Sequence, residues 1–101
     1  MYISRLTFHT IPGRTGEAES ALRKLQEMVA RAGGPKPRIL HTHFASLGAP
    51  DIVFEQEVED LAGFETQLHK FIDDKAFQGW SKKMSTLLRE SPKRELYLIA
   101  E

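Results

Sequence analysis

The chain opens on a period-two pattern of side chains that then gives way to a longer period. From Tyr2 to Ile11, Leu6 and Phe8 share one side, while Ile3, Arg5, Thr7, His9 and Ile11 share the other, as in a β-strand. Pro12-Gly13 breaks that pattern. Ala18, Ala21, Leu22, Leu25, Met28, Val29 and Ala32 then recur at helical spacing and form one apolar stripe. Thr15 is the expected N-cap, with Glu17 and Glu19 suited to the positive end of the helix dipole. Gly33-Gly34 ends the helix, and Pro35 and Pro37 prevent it from resuming.

The stretch Arg38–Leu47, RILHTHFASL, predicts a second strand without a solvent side. Leu40 and Phe44 point one way, and Ile39, His41, His43, Ala45 and Leu47 the other. A tight connection at Gly48-Ala49-Pro50-Asp51 implies a hairpin into a third strand, Ile52–Val58. That strand divides into Ile52, Phe54, Gln56 and Val58 against Val53, Glu55 and Glu57. Asp60 is the expected cap of a second helix carrying Leu61, Phe64, Leu68, Phe71 and Ile72, which Asp73-Asp74 interrupts. A further helical stretch buries Phe77, Trp80, Met84, Leu87 and Leu88 until Ser91-Pro92 stops it. Arg94–Ala100 closes the series as a strand, with Leu96 and Leu98 alternating against Tyr97 and Ile99.

The order β-α-β-β-α-β predicts an α+β protein of ferredoxin-like type: a four-stranded antiparallel sheet with its helices on one face. Residues 1–101 read as one domain, without repeat or linker. Sorted by parity, Leu6, Phe8, Leu40, Phe44, Phe54, Val58, Leu96 and Leu98 form the helix-covered face. The opposite face mixes Ile3, Ile39, Leu47, Val53 and Ile99 with Arg5, His9, His41, His43, Glu55, Glu57 and Tyr97. So many large aliphatics on a bare sheet call for a cover, and a second copy of the sheet supplies one. A homodimer through this face is therefore expected.

Composition narrows the partners. Fourteen Lys and Arg balance fourteen Asp and Glu, and the two signs are interspersed, so neither nucleic acid nor an anionic membrane is an expected partner. The absence of cysteine removes disulfides, thiolate metal ligands and a cysteine nucleophile. No apolar run is long enough to span a bilayer, and MYISRLTF enters a strand pattern directly, so a cytoplasmic location is expected.

The sequence FHTIPGR, then VFEQEVEDLAGFE, DDKAFQGW and PKRELYLIA, resembles the dimeric α+β barrel superfamily over nearly the whole chain. The NIPSNAP-like proteins are the nearest subgroup, followed by the antibiotic-biosynthesis monooxygenase type. The resemblance implies two sheets closed face to face into one barrel, and a small-molecule ligand. It also implies, in the enzymes, cofactor-independent oxygenase or isomerase chemistry, so no cofactor is expected. Oxygenases of the superfamily rely on an Asn, a Trp and sometimes a His or Tyr in the barrel, and this chain has no asparagine. A non-enzymatic ligand-binding or stress-related homodimer is the alternative.

The candidate chemistry lies on the mixed face. His41 and His43, two apart on one strand, send both imidazoles the same way. A His/carboxylate metal site with His9, Glu55 or Glu57 is chemically available, but hydrogen bonding to the glutamates is the plainer reading, and no metal is expected. A histidine beside a glutamate is suited to proton transfer, so His9, His41 and His43 are candidate catalytic groups. Arg5 joins them as a holder of a carboxylate or phenolate. Glu55, Glu57, Tyr97 and Trp80 are the candidate ligand-binding residues, the last for stacking on an aromatic molecule. Against these readings stand a charge network that only satisfies buried groups and, for Trp80, plain core packing.

Overall fold

The computed structural model describes all 101 residues. The elements are β1 (Tyr2–Phe8), α1 (Thr15–Arg31), β2 (Arg38–His41), β3 (Ile52–Val58), α2 (Leu61–Asp73), α3 (Lys75–Ser85) and β4 (Lys93–Leu98). The strands form one antiparallel sheet in the order β2-β3-β1-β4, the arrangement of the split β-α-β fold. Helix α1 lies over β2 and β3 and against α3, while α2 and α3 pack on each other.

The core lies between α1, α3 and one side of the sheet. Phe8, Ile52 and Phe54 from the sheet meet Ala18, Leu22, Leu25 and Val29 of α1, and Met84 and Leu87 close the end. Phe8, Leu22 and Ile52 are almost wholly buried, and each such side chain contributes roughly 2–3 kcal/mol of transfer energy. Glycine is required at Gly33, where φ is 87° and the chain turns out of α1. Asp60 caps α2 by accepting from the Ala62 N–H at 3.1 Å, and Asp74 ends α2 and caps α3 through the Ala76 N–H at 2.7 Å.

Four expectations are corrected. Strand β1 stops at Phe8, and beyond it Thr10 makes only an isolated bridge to Leu88. Thr15 does not cap α1: it is the first helical residue, and its hydroxyl lies 2.7 Å from that of Thr10, while Arg14 takes the cap position without a side-chain bond. Strand β2 ends at His41 instead of Leu47, and residues 42–51 form a loop pinned by Thr42, whose N–H and hydroxyl donate to Asp51 O and Pro50 O.

The fourth correction concerns which way β2 faces. Ile39 pairs with Phe54 and packs toward the core, whereas Leu40 pairs with Val53 and is exposed. The β2 parity is thus the reverse of that expected, and Phe44, expected against the helices, is 92% exposed on the loop. On β4, Leu96 and Leu98 do share the helix-side face with Ser4 and Tyr2, yet both stay exposed on this edge strand.

Candidate functional site

Three of the expected site residues meet on the sheet face that carries no helix. In β-sheet register, Glu95 stands opposite Arg5, Arg5 opposite Glu55 and Glu55 opposite Arg38. One row of alternating charge therefore crosses all four strands. Glu55, only 4% exposed, accepts from Arg5 Nε at 2.9 Å with one oxygen and from Arg38 with the other. Burial pushes the Glu55 carboxyl up, but the two arginine hydrogen bonds and charges outweigh it and hold the group below its ordinary value. The Arg5 guanidinium also lies over the Tyr97 ring at 5.6 Å. A hydrogen bond to Glu95 pushes the Tyr97 phenol above its usual value, aided by burial and by the Glu95 charge.

The histidines go elsewhere. His9 lies past the end of β1 and bridges two loops: Nε2 donates to Gly48 O at 3.1 Å, and Nδ1 lies 2.8 Å from Glu90 Oε1. His41, placed by its register with Ile52 on the helix side, donates to Glu19 of α1 at 2.7 Å. His43 stands on the exposed loop, edge-on to Phe44. They form no common cluster with Arg5, and no group of three His, Cys, Asp or Glu side chains is placed to hold a metal ion. Trp80 is built into the helix layer, where Nε1 donates to Ala21 O at 2.6 Å and the ring stacks on Phe77 at 5.6 Å. Glu57 is exposed at the end of the open face.

A second locus was not anticipated. An open groove of about 670 Å³ runs between the turn after α1, the end of β3 and α2. Phe64, Gln67 and Phe71 reach it from α2 at i, i+3 and i+7 spacing, with Lys70 beside them and Gln56 from β3. The Gln56 and Gln67 amides lie 3.5 Å apart, and a methyl group at Gly34 would come within 2.7 Å of Gln67 Nε2. Glu57, Asp60 and Asp74 line the same groove. Behind it, Arg94 lies over the Phe64 ring at 5.4 Å and donates to Ser4 Oγ, and burial lowers its guanidinium from its ordinary value. The α2 stripe was visible in the sequence as core; its role in a groove depends on how far α2 stands from the sheet.

No family model matches the chain, and no curated protein matches its sequence. Solved structures do match. A candidate antibiotic biosynthesis monooxygenase from Nitrosomonas europaea superposes with a TM-score of 0.71 at 18% identity, covering 100% of both chains. An uncharacterized NIPSNAP domain protein from Burkholderia xenovorans gives 0.72 at 14% identity, over 99% of this chain and 95% of that one. The chain has their fold. A candidate antibiotic biosynthesis monooxygenase from Deinococcus radiodurans adds a third match, with a TM-score of 0.70 at 14% identity over 100% and 94% of the two chains. The ferredoxin-like α+β architecture and the resemblance drawn from the sequence are thus both supported.

Proposed function

We propose that this chain is a homodimeric binding protein for a small organic molecule, with the helix-side groove as its ligand site. The observation that carries this reading is the groove's lining: two phenylalanine rings, two amides and a lysine around about 670 Å³. Phe64 and Phe71 offer apolar faces to an aromatic ring. Gln56 and Gln67 can donate and accept, Lys70 can meet a carboxylate, and Asp60 and Asp74 can accept from ligand hydroxyls. An aromatic molecule bearing hydroxyl or carboxylate groups suits this set. The open sheet face, with its charges already paired to one another, supports a partner surface more than a ligand site. Ile3, Leu40, Val53 and Tyr97 flank the charge row there and gain cover from a second copy. No helix is long and apolar enough to cross a membrane, and we set the protein in the cytoplasm, where a fold without disulfides needs no oxidising environment.

Titration with 4-hydroxybenzoate and 2-naphthol, followed by thermal shift and by amide NMR, tests the site. The expected result is a shift confined to α2, the end of β3 and the turn at Gly34, reduced in Lys70→Ala for the carboxylate and in Phe71→Ala for both. No binding of either at millimolar concentration overturns the ligand class. A second reading, a cofactor-independent monooxygenase, draws on the likeness to the Nitrosomonas and Deinococcus candidate monooxygenases. Oxygen uptake with an electron-rich phenol, above the rate in buffer and lost in the groove variants, favours it over binding alone.

A further inference from the structure

The charge row specifies more than a pairing face. It reads Glu95, Arg5, Glu55, Arg38 from one edge of the sheet to the other, with alternating sign. A two-fold axis that relates two identical sheets face to face lies in the plane between them, and its two limiting directions are across the strands and along them. With the axis across the strands at the height of the row, every strand lies over its own mate, and each charge meets itself. With the axis parallel to the strands and between β1 and β3, the strand order is reversed above the row while its height along the strands is kept. Glu95 then faces Arg38 of the second copy, and Arg5 faces its Glu55, so all four positions are complementary.

The geometry points to a dimer whose two-fold axis runs parallel to the strands, selected by this row: Arg38 of one copy pairs with Glu95 of the other, at both edges of the interface. This inference rests on the homodimer of the preceding section and adds its orientation. Opposed like charges cost several kcal/mol across an interface, so the row discriminates strongly against the other direction. Within one sheet, Arg38 and Glu95 are three strand spacings apart, about 14 Å. Coupling between them therefore reports a contact between copies.

Sedimentation of the full chain and its variants tests the orientation. Arg38→Glu and Glu95→Arg should each weaken the dimer about tenfold or more, because each places like charges together twice. An equimolar mixture of the two single variants should recover wild-type affinity as a heterodimer. At one edge the two introduced side chains then form an ion pair of reversed sense, and at the other the native Glu95 and Arg38 still meet. Where charge reversal unfolds the chain, Arg38→Gln and Glu95→Gln replace it. Their double variant should lose no more affinity than either single one, a non-additivity unexpected at this distance within one copy. Single variants that dimerise like wild type, no recovery on mixing, or additive Gln effects overturn the orientation while leaving the dimer. A wild-type chain that stays monomeric at tens of micromolar overturns the dimer itself.

Discussion

The two faces of one sheet are built on opposite plans, although the same strands supply both. On the helix side, Phe8, Ile52 and Phe54 are at most 5% exposed and meet the apolar stripe of α1. On the other side, Arg5, Glu55 and Arg38 fill the middle and aliphatic side chains are left to the flanks. Burial without direction makes the first face a source of folding energy. Charges in fixed register make the second a poor core and a specific surface, since ion pairs contribute little stability but discriminate between alignments. The difference teaches that strand parity gives this sheet one face for folding and leaves the other free for the proposed pairing of copies.

The largest effect should come from the helix side. Phe8→Ala leaves a cavity among Leu22, Ile52 and their neighbours and should cost about 3–5 kcal/mol in urea unfolding. A loss below about 1 kcal/mol would mean that this face is not the core. A closer comparison uses two adjacent residues of β2. Ile39→Ala should cost about 1–2 kcal/mol, while Leu40→Ala, measured at concentrations where copies are dissociated, should stay within about 0.5 kcal/mol. Reversal of that order would restore the opposite parity. Trp80→Phe removes the hydrogen bond to Ala21 O and should cost about 1 kcal/mol, read by the same unfolding curves.

The smallest effect at neutral pH belongs to the open face, and its sign with pH identifies it. The folded chain holds the Glu55 carboxyl below its ordinary value of 4.5, so its contribution is present above that value. It is lost as pH falls below 4.5 through the lower folded value, because the unfolded chain then takes up protons that the folded one refuses. The stability gap between wild type and Glu55→Gln should therefore shrink between about pH 6 and about pH 3. A gap that stays constant would show that the arginines do not hold this carboxylate.

Much of this division was legible in the sequence. Ile52–Val58 stands as β3 with the expected residues on each face, and Asp60 caps α2 as its position before an apolar run suggests. What failed was β2. Alternation alone cannot say where an edge strand stops pairing, and HTHFASL continues the strand pattern past the last ladder bond at His41. Reading the strand to Leu47 placed His41 and His43 together and hid Arg38 as the partner of Glu55, because that pairing depends on register between distant segments. Arg5, Glu55 and Tyr97 were found because each lies on a stretch of strand whose parity was read correctly. The groove was missed for a different reason: Phe64 and Phe71 on one helical stripe look the same from the sequence whether the helix closes on the sheet or stands away from it.

Gly34 carries a consequence for how the proposed ligand groove could diversify. Its backbone is not in the left-handed region, so a side chain is conformationally acceptable there, yet the first carbon would press on the Gln67 amide. The residue therefore acts as a spacer whose thickness is set by a single methyl. Changing it alters the bore of the groove by moving one flexible amide, with the sheet and its charge row untouched. The width of the proposed ligand groove can thus be narrowed at one codon, without renegotiating the fold.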